Sequence, residues 1–172
     1  MITDARTLIE HGRVEALNHR YTYLEPISVK ALTQTISDLA LNFGEGDPSS
    51  KKKPMSRPYG VALLIAGVDE KGPCIYQTDP SGTMIEYKAK GIGAAEEGLQ
   101  SILSEKYNEV KIFFMKKMSL EDAKKLALNS LKETMEEKIS KNNVEMMVIS
   151  SESQKVEKVS GEHIKAILDK LG

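Results

Sequence analysis

The clearest pattern of apolar and polar positions lies between Arg57 and Ala95. Val61 to Ala66 (VALLIA) is an unbroken apolar run, the mark of a strand buried on both faces. Asp69-Glu70-Lys71-Gly72-Pro73 is polar and carries Gly-Pro, so the chain reverses there. Cys74 to Thr78 follows as a second strand. Asp79-Pro80-Ser81-Gly82 then fits a type I turn, with Asp first, Pro presetting φ at the second place and Gly fourth. Thr83 to Lys90 alternates: Thr83, Ile85, Tyr87 and Ala89 point one way, Met84, Glu86, Lys88 and Lys90 the other. The pattern predicts an antiparallel meander with one face packed and one partly wet.

Helical spacing flanks this stretch. Thr3 to about Arg20 places Ala5, Leu8, Ile9, Gly12, Ala16 and Leu17 along one side, and Tyr21 to Pro26 breaks the helix. Ser28 is the N-cap of a second helix whose stripe is Val29, Leu32, Ile36, Leu39, Ala40 and Phe43, with Gly44 as its stop. Glu45 to Ser56 reads as a surface loop. Beyond the meander, a helix from about Ala94 to Lys106 turns Ala95, Leu99, Ile102 and Leu103 inward. Ser119-Leu120-Glu121-Asp122 opens the longest helix, Leu120 to Ile139. Val144 to Ile149 is a further strand, Lys155 to Val159 its short partner, and Ile164, Ile167, Leu168 and Leu171 mark a terminal helix.

Blocks of helices separated by antiparallel strands argue for an α+β fold rather than a βαβ one. A chain of 172 residues is long enough for a single domain spanning 1–172. The 28% charged and 40% hydrophobic residues are those of an ordinary globular protein, and a net charge of −1 argues against a nucleic-acid partner. No apolar run approaches the ~20 residues of a membrane helix. One cysteine, Cys74, precludes an internal disulfide and fits a reducing compartment, cytoplasm or nucleus.

The wording of the meander, R-P-Y-G, a buried strand, G-V-D…G-P, D-P-S-G and K-A-K-G-I-G, resembles the α-type subunits of the proteasome core particle. Asp4-Ala5-Arg6-Thr7-Leu8-Ile9 with Arg13-Val14-Glu15-Ala16, and Leu39-Ala40-Leu41-Asn42-Phe43-Gly44-Glu45, are similar to the two helices that precede these strands in that family. Met135 to Ile139 with Asn143-Val144-Glu145 resembles its late helix and following strand. Among α types the likeness is greatest to the fifth. The resemblance implies a four-layer α/β/β/α sandwich of the Ntn-hydrolase kind. It places Met1 after the family's gating tail, extra helix and opening strands, so these are expected to be missing. It also implies a non-catalytic structural subunit supporting ring assembly and ubiquitin-dependent degradation. The implied partners are neighbouring α subunits, β-ring subunits, and a regulatory particle on the outer α-ring face. The runner-up readings are a β-type threonine peptidase and a truncated fragment that does not assemble.

Candidate chemistry is sparse, and no catalytic, cofactor or metal residue is assigned. Gly91-Ile92-Gly93-Ala94-Ala95-Glu96 lacks the third glycine of a dinucleotide turn, and Glu96 would face a pyrophosphate. His11, Glu15 and His19 share one side of the first helix, yet His11 and His19 are separated by about 12 Å of rise, too far for one ion. Cys74 has no histidine nearby in sequence and reads as a small hydrophobe. Lys51-Lys52-Lys53 with Arg57 reads as solvated charge. Phe113-Phe114-Met115, within the insertion-like Val110 to Met115, either packs under a helix connection or forms an exposed patch. Thr3 would be a threonine nucleophile only after cleavage, and it stands at a helix start rather than a strand end.

Overall fold

The computed structural model describes residues 2–42, 57–114 and 118–171. The expected loop from Glu45 to Ser56 with Lys51–Lys53, the helix end at Phe43 and Gly44, and Met115 lie outside the described residues. So do the side chains of 108–114, whose backbone forms the last turns of a helix. The chain builds two units, Met1–Lys88 and Ala89–Gly172.

The first unit holds α1 (Ile2–Tyr23), α2 (Val29–Leu41), β1 (Leu63–Asp69), β2 (Gly72–Thr78) and β3 (Met84–Tyr87). The three strands pair in the order β1-β2-β3, both pairings antiparallel, so the meander is as expected. At the second turn Gly82 N donates to Asp79 O at 3.0 Å, and the Asp79 carboxylate accepts from the amides of Ser81 and Thr83. Gly82 has φ 76°, a left-handed value that costs glycine nothing. Leu41 leaves no space there, for an added Cβ would stand 2.5 Å from its Cγ.

Which face each strand presents differs from the sequence expectation. Gly67 faces α2, where a Cβ would come 2.5 Å from Val29 Cγ2. Alternation and register then put Leu63, Ile65, Cys74, Tyr76, Thr78, Met84 and Glu86 on the α2 side. Tyr76 and Thr78 are buried there. On the other face Ala66 and Ile85 are exposed, and Leu64 is only half-buried. VALLIA is therefore not buried on both faces, because α2 lies against one. The alternation expected through Lys90 also ends at Tyr87, and Glu86 turns toward α2, where it accepts the Tyr76 hydroxyl at 3.0 Å. Burial, and then that bond, push the Tyr76 phenol up to about 12.

Ser28 caps α2 as expected, its Oγ accepting from Ala31 N at 3.2 Å. Thr33, Ile36, Ser37 and Ala40 are its buried residues, so the inward stripe is part polar. α1 departs further. It continues through the expected break to Tyr23 and ends at Leu24, whose φ is 59°. Its buried positions are Asp4, Leu8 and Gly12, whereas Ile9 and Leu17 of the expected stripe are exposed. Asp4 can occupy an inward position because its charge is fully paired. Arg57 Nη1 donates to Oδ2 and Nη2 to Oδ1, each at 2.9 Å, and Gly60 N adds a third bond to Oδ2 at 3.0 Å.

The second unit holds α3 (Glu96–Phe114), α4 (Leu120–Thr134), β4 (Met147–Ile149), β5 (Val156–Lys158) and α5 (Gly161–Leu168). Its core is Leu128, Ile139, Ile164 and Ile167, ringed by Leu131, Met135, Val144, Met146, Val159, Leu168 and Leu171. Ser119 and Ser160 cap α4 and α5, accepting from Asp122 N at 3.1 Å and His163 N at 3.3 Å. β4 and β5 pair antiparallel as a short hairpin. α3 extends past Lys106, and α4 stops at Thr134 rather than Ile139. Met135 is extended, with ψ 132°, and from there the chain turns so that Ile139 enters the core. Among the described residues the longest helix is α1, with 22 residues.

Leu128 has no exposed surface. Leu128→Ala should therefore lower unfolding free energy by about 2–5 kcal/mol, while Lys71→Ala in the exposed β1–β2 turn should change it by less than about 0.5 kcal/mol. Chemical denaturation of both variants checks this, and equal midpoints would contradict the core assignment.

A second expectation follows from Asp4. The Arg57 guanidinium, helped by the Gly60 amide, holds its carboxyl well below the usual carboxylate range. A depressed folded-state pKa stabilises the fold above the unfolded value of about 3.9 and ceases to do so as pH falls through the folded one. The melting-temperature gap between the parent chain and Asp4→Asn should thus be constant from pH 7 to about pH 5 and shrink below about pH 4. A gap that widens in acid would refute the pairing.

Candidate subunit interface

The exposed apolar surface in the first unit is concentrated on α1. With Asp4, Leu8 and Gly12 turned inward, the helical period of 3.6 residues sends Val14, Leu17 and Tyr21 to the opposite side, and Leu24 follows them just past the helix end. The spacing of three and four residues from Val14 to Tyr21 is that of a seam made for another surface. Leu17 is 67% exposed, and Tyr21 and Leu24 are each 89% exposed. Ile9 and Val14 border a shallow groove shared with Arg6, Glu10, His11 and Arg13. Apolar side chains set in a row with charged ones beside them are the usual make-up of a protein contact.

Leu24 is also strained. A left-handed backbone suits glycine and costs a branched residue about 1–2 kcal/mol. Its amide still closes the helix, donating to Arg20 O at 3.0 Å. His19 secures the same end, its Nδ1 lying 3.2 Å from Glu25 O and its ring packed, tilted by 42°, 4.7 Å from that of Tyr23. That leaves His19 engaged away from His11 and Glu15. Among the described residues, no group of three His, Cys, Asp or Glu side chains is placed to hold a metal ion.

The remaining sequence candidates are not brought together. Glu96 pairs with Lys90 at 2.6 Å, so the residue that spoils the dinucleotide turn has a partner of its own. Gly91 is buried against Leu99, and Gly93, with φ 125°, opens the path into α3. The Cys74 thiol is half-buried, and burial followed by the charges of Asp69 and Glu86 pushes its pKa up, away from a reactive thiolate. Thr3 lies within α1, its carbonyl accepting from Thr7 Oγ1 at 3.1 Å. Among the described residues no helix is long and apolar enough to cross a membrane.

Two features escaped the sequence reading. The Asp4–Arg57 pair joins residues 53 apart, and no local pattern announces it. The Val14-Leu17-Tyr21-Leu24 row is hidden because the apolar stripe claims Leu17 for the inward side and Tyr21 and Leu24 fall in the expected break.

A profile of the proteasome subunit family matches residues 1–149. The proteasome subunit alpha type-5 of Dictyostelium discoideum is 47% identical over 171 residues, which is 99% of this chain and 68% of that protein. The alpha type-5 subunit of Trypanosoma brucei brucei is 44% identical over 99% of this chain and 65% of its own length. That of Drosophila melanogaster is 40% identical over 90% of this chain and 60% of its own length. The chain thus spans about two thirds or less of the curated relatives it matches. A match that runs through both units, joined to a meander and helix pair of the expected order, leaves one conclusion: the chain belongs to the proteasome subunit family.

Proposed function

We propose that the chain is a non-catalytic structural subunit of the fifth α type, taking part in the α ring of the proteasome core particle. The observation that carries this reading is the exposed row of Val14, Leu17 and Tyr21 on α1, with Leu24 just past its end. A subunit must present apolar surface that its own fold leaves uncovered, and this row does so on a rigid helix. The α type-5 names of the relatives support the ring assignment. Thr3 inside a helix and the protonated Cys74 favour a non-catalytic role over a β-type peptidase.

The finer parts of the reading rest on family membership. α1 and α2 face the β ring, neighbouring α subunits flank the chain, and a regulatory particle docks on the outer ring surface. The fold is one domain in the four-layer α/β/β/α sandwich, with its sheet helix-covered on one face, as α2 covers β1–β3. The work is done in cytoplasm and nucleus, in ubiquitin-dependent degradation.

Leu17→Glu and Tyr21→Glu should abolish or weaken co-purification with the other core-particle subunits by about thirtyfold, the size of a hot-spot loss of ~2 kcal/mol. Their melting temperatures should match the parent, because both side chains are already in water. Undiminished co-purification of both variants would refute the interface. The purified chain should also hydrolyse no peptide substrate, and a turnover abolished by Thr3→Ala would overturn the non-catalytic role.

A further inference from the structure

We infer that Asp4 is a positioning residue for assembly: through Arg57 and Gly60 it sets the tilt and rotation of α1, and so the aim of the exposed row at its far end. The inference rests on the reading that this row meets a partner.

The inner side of α1 is fixed at successive turns by Asp4, Leu8 and Gly12. Gly12 lies over Leu32 and Ile36 of α2, the Cβ position standing 3.2 Å from Ile36 Cδ1. Contacts of this kind are non-directional, and a helix can roll or tilt on them with small changes of rotamer. The contact at Asp4 is of another kind. Both carboxylate oxygens are engaged by a planar guanidinium, which demands one orientation, and Oδ2 also takes a backbone amide. Arg57 is itself tied, Nη1 donating to Pro58 O at 2.9 Å.

Lever lengths show why this matters. At 1.5 Å of rise per residue, Asp4 is about 12 Å from Gly12 on one side and Tyr21 about 14 Å on the other. A tilt that moves the first turn by about 2 Å breaks the Arg57 bonds and displaces Tyr21 by about 2 Å. Interfaces packed as closely as protein interiors do not absorb such a shift. Past Gly12 only Glu15, Ala16 and His19 are even half-buried, and the His19 contacts with Glu25 and Tyr23 join that end only to its own connection, not to the sheet or the body of α2.

Two experiments test this. In the first, spin labels replace Tyr21 and Gln34 in a Cys74→Ser chain, and their separation is measured with Asp4 and with Asp4→Asn. A narrow distribution should broaden or shift by about 2 Å in the Asn variant. An unchanged distribution would overturn the inference. In the second, Asp4→Asn, Arg57→Lys and Asp4→Arg/Arg57→Asp are co-expressed with the other core-particle subunits, at a temperature where circular dichroism shows each folded. Leu128→Ala serves as a control destabilised elsewhere. The two single variants should lose at least tenfold in co-purification, the exchanged pair should recover part of it, and Leu128→Ala should assemble in proportion to its folded fraction. Single variants that assemble as well as that control would refute a positioning role. The parallel Leu17→Glu variant separates the two claims. If it assembles normally, the partner-facing row is wrong; if it fails while Asp4→Asn assembles, only the role of Asp4 is wrong.

Discussion

A carboxylate taken nearly out of water at the first turn of α1 constrains much of the first unit. The Asp4 side chain is 10% exposed, while its partner Arg57 keeps 65% of its side-chain surface in solvent. Such a pair contributes less to net stability than its geometry suggests, because dehydrating the carboxylate offsets the attraction. Its effect is on arrangement. Once Asp4 is inward it must stay paired, so the chain approaching β1 is drawn to the start of α1, and the apolar residues on the far side of the helix are left in water. The buried acid and the exposed row are thus two sides of one rotation about the helix axis.

α2 plays the corresponding part for the sheet. Ser28 starts it, and Val29 N donates to Asp69 Oδ2 at 3.3 Å, which binds the first turn of α2 to the end of β1. Gly67 lets the two come together where any side chain would collide with Val29. The sheet is left with one face under a helix and one face whose Ala66 and Ile85 are open. The uncovered helix row is what a member of a multi-subunit assembly shows when seen alone.

Several stretches that look like chemistry in the sequence serve packing or turning instead. The glycines after Lys90 carry the chain into α3, and Glu96 neutralises Lys90. His19 closes the end of α1 rather than joining His11. Lys90, Glu96 and His19 are each engaged by a neighbour a few positions away.

What the sequence determined by itself was whatever short-range hydrogen bonding controls. Ser28, Ser119 and Ser160 begin helices because a hydroxyl reaches an amide three residues on, and Asp79-Pro80-Ser81-Gly82 turns because its own carboxylate and backbone close it. The meander, the terminal helix and the α+β class were legible for the same reason, and the family was legible from words of fixed spacing. Tertiary structure decided which way each element faces. Leu17 and Ile9 carry the period of an inward stripe, yet a paired Asp4 took that side of α1. VALLIA has the composition of a doubly buried strand, yet only one face met a helix. Ile139 extends the spacing of α4, yet entered the core from beyond its end. Periodicity records that a residue is apolar and where it falls on its own element. Burial depends on a second surface, and at Asp4 that surface came from 53 residues away.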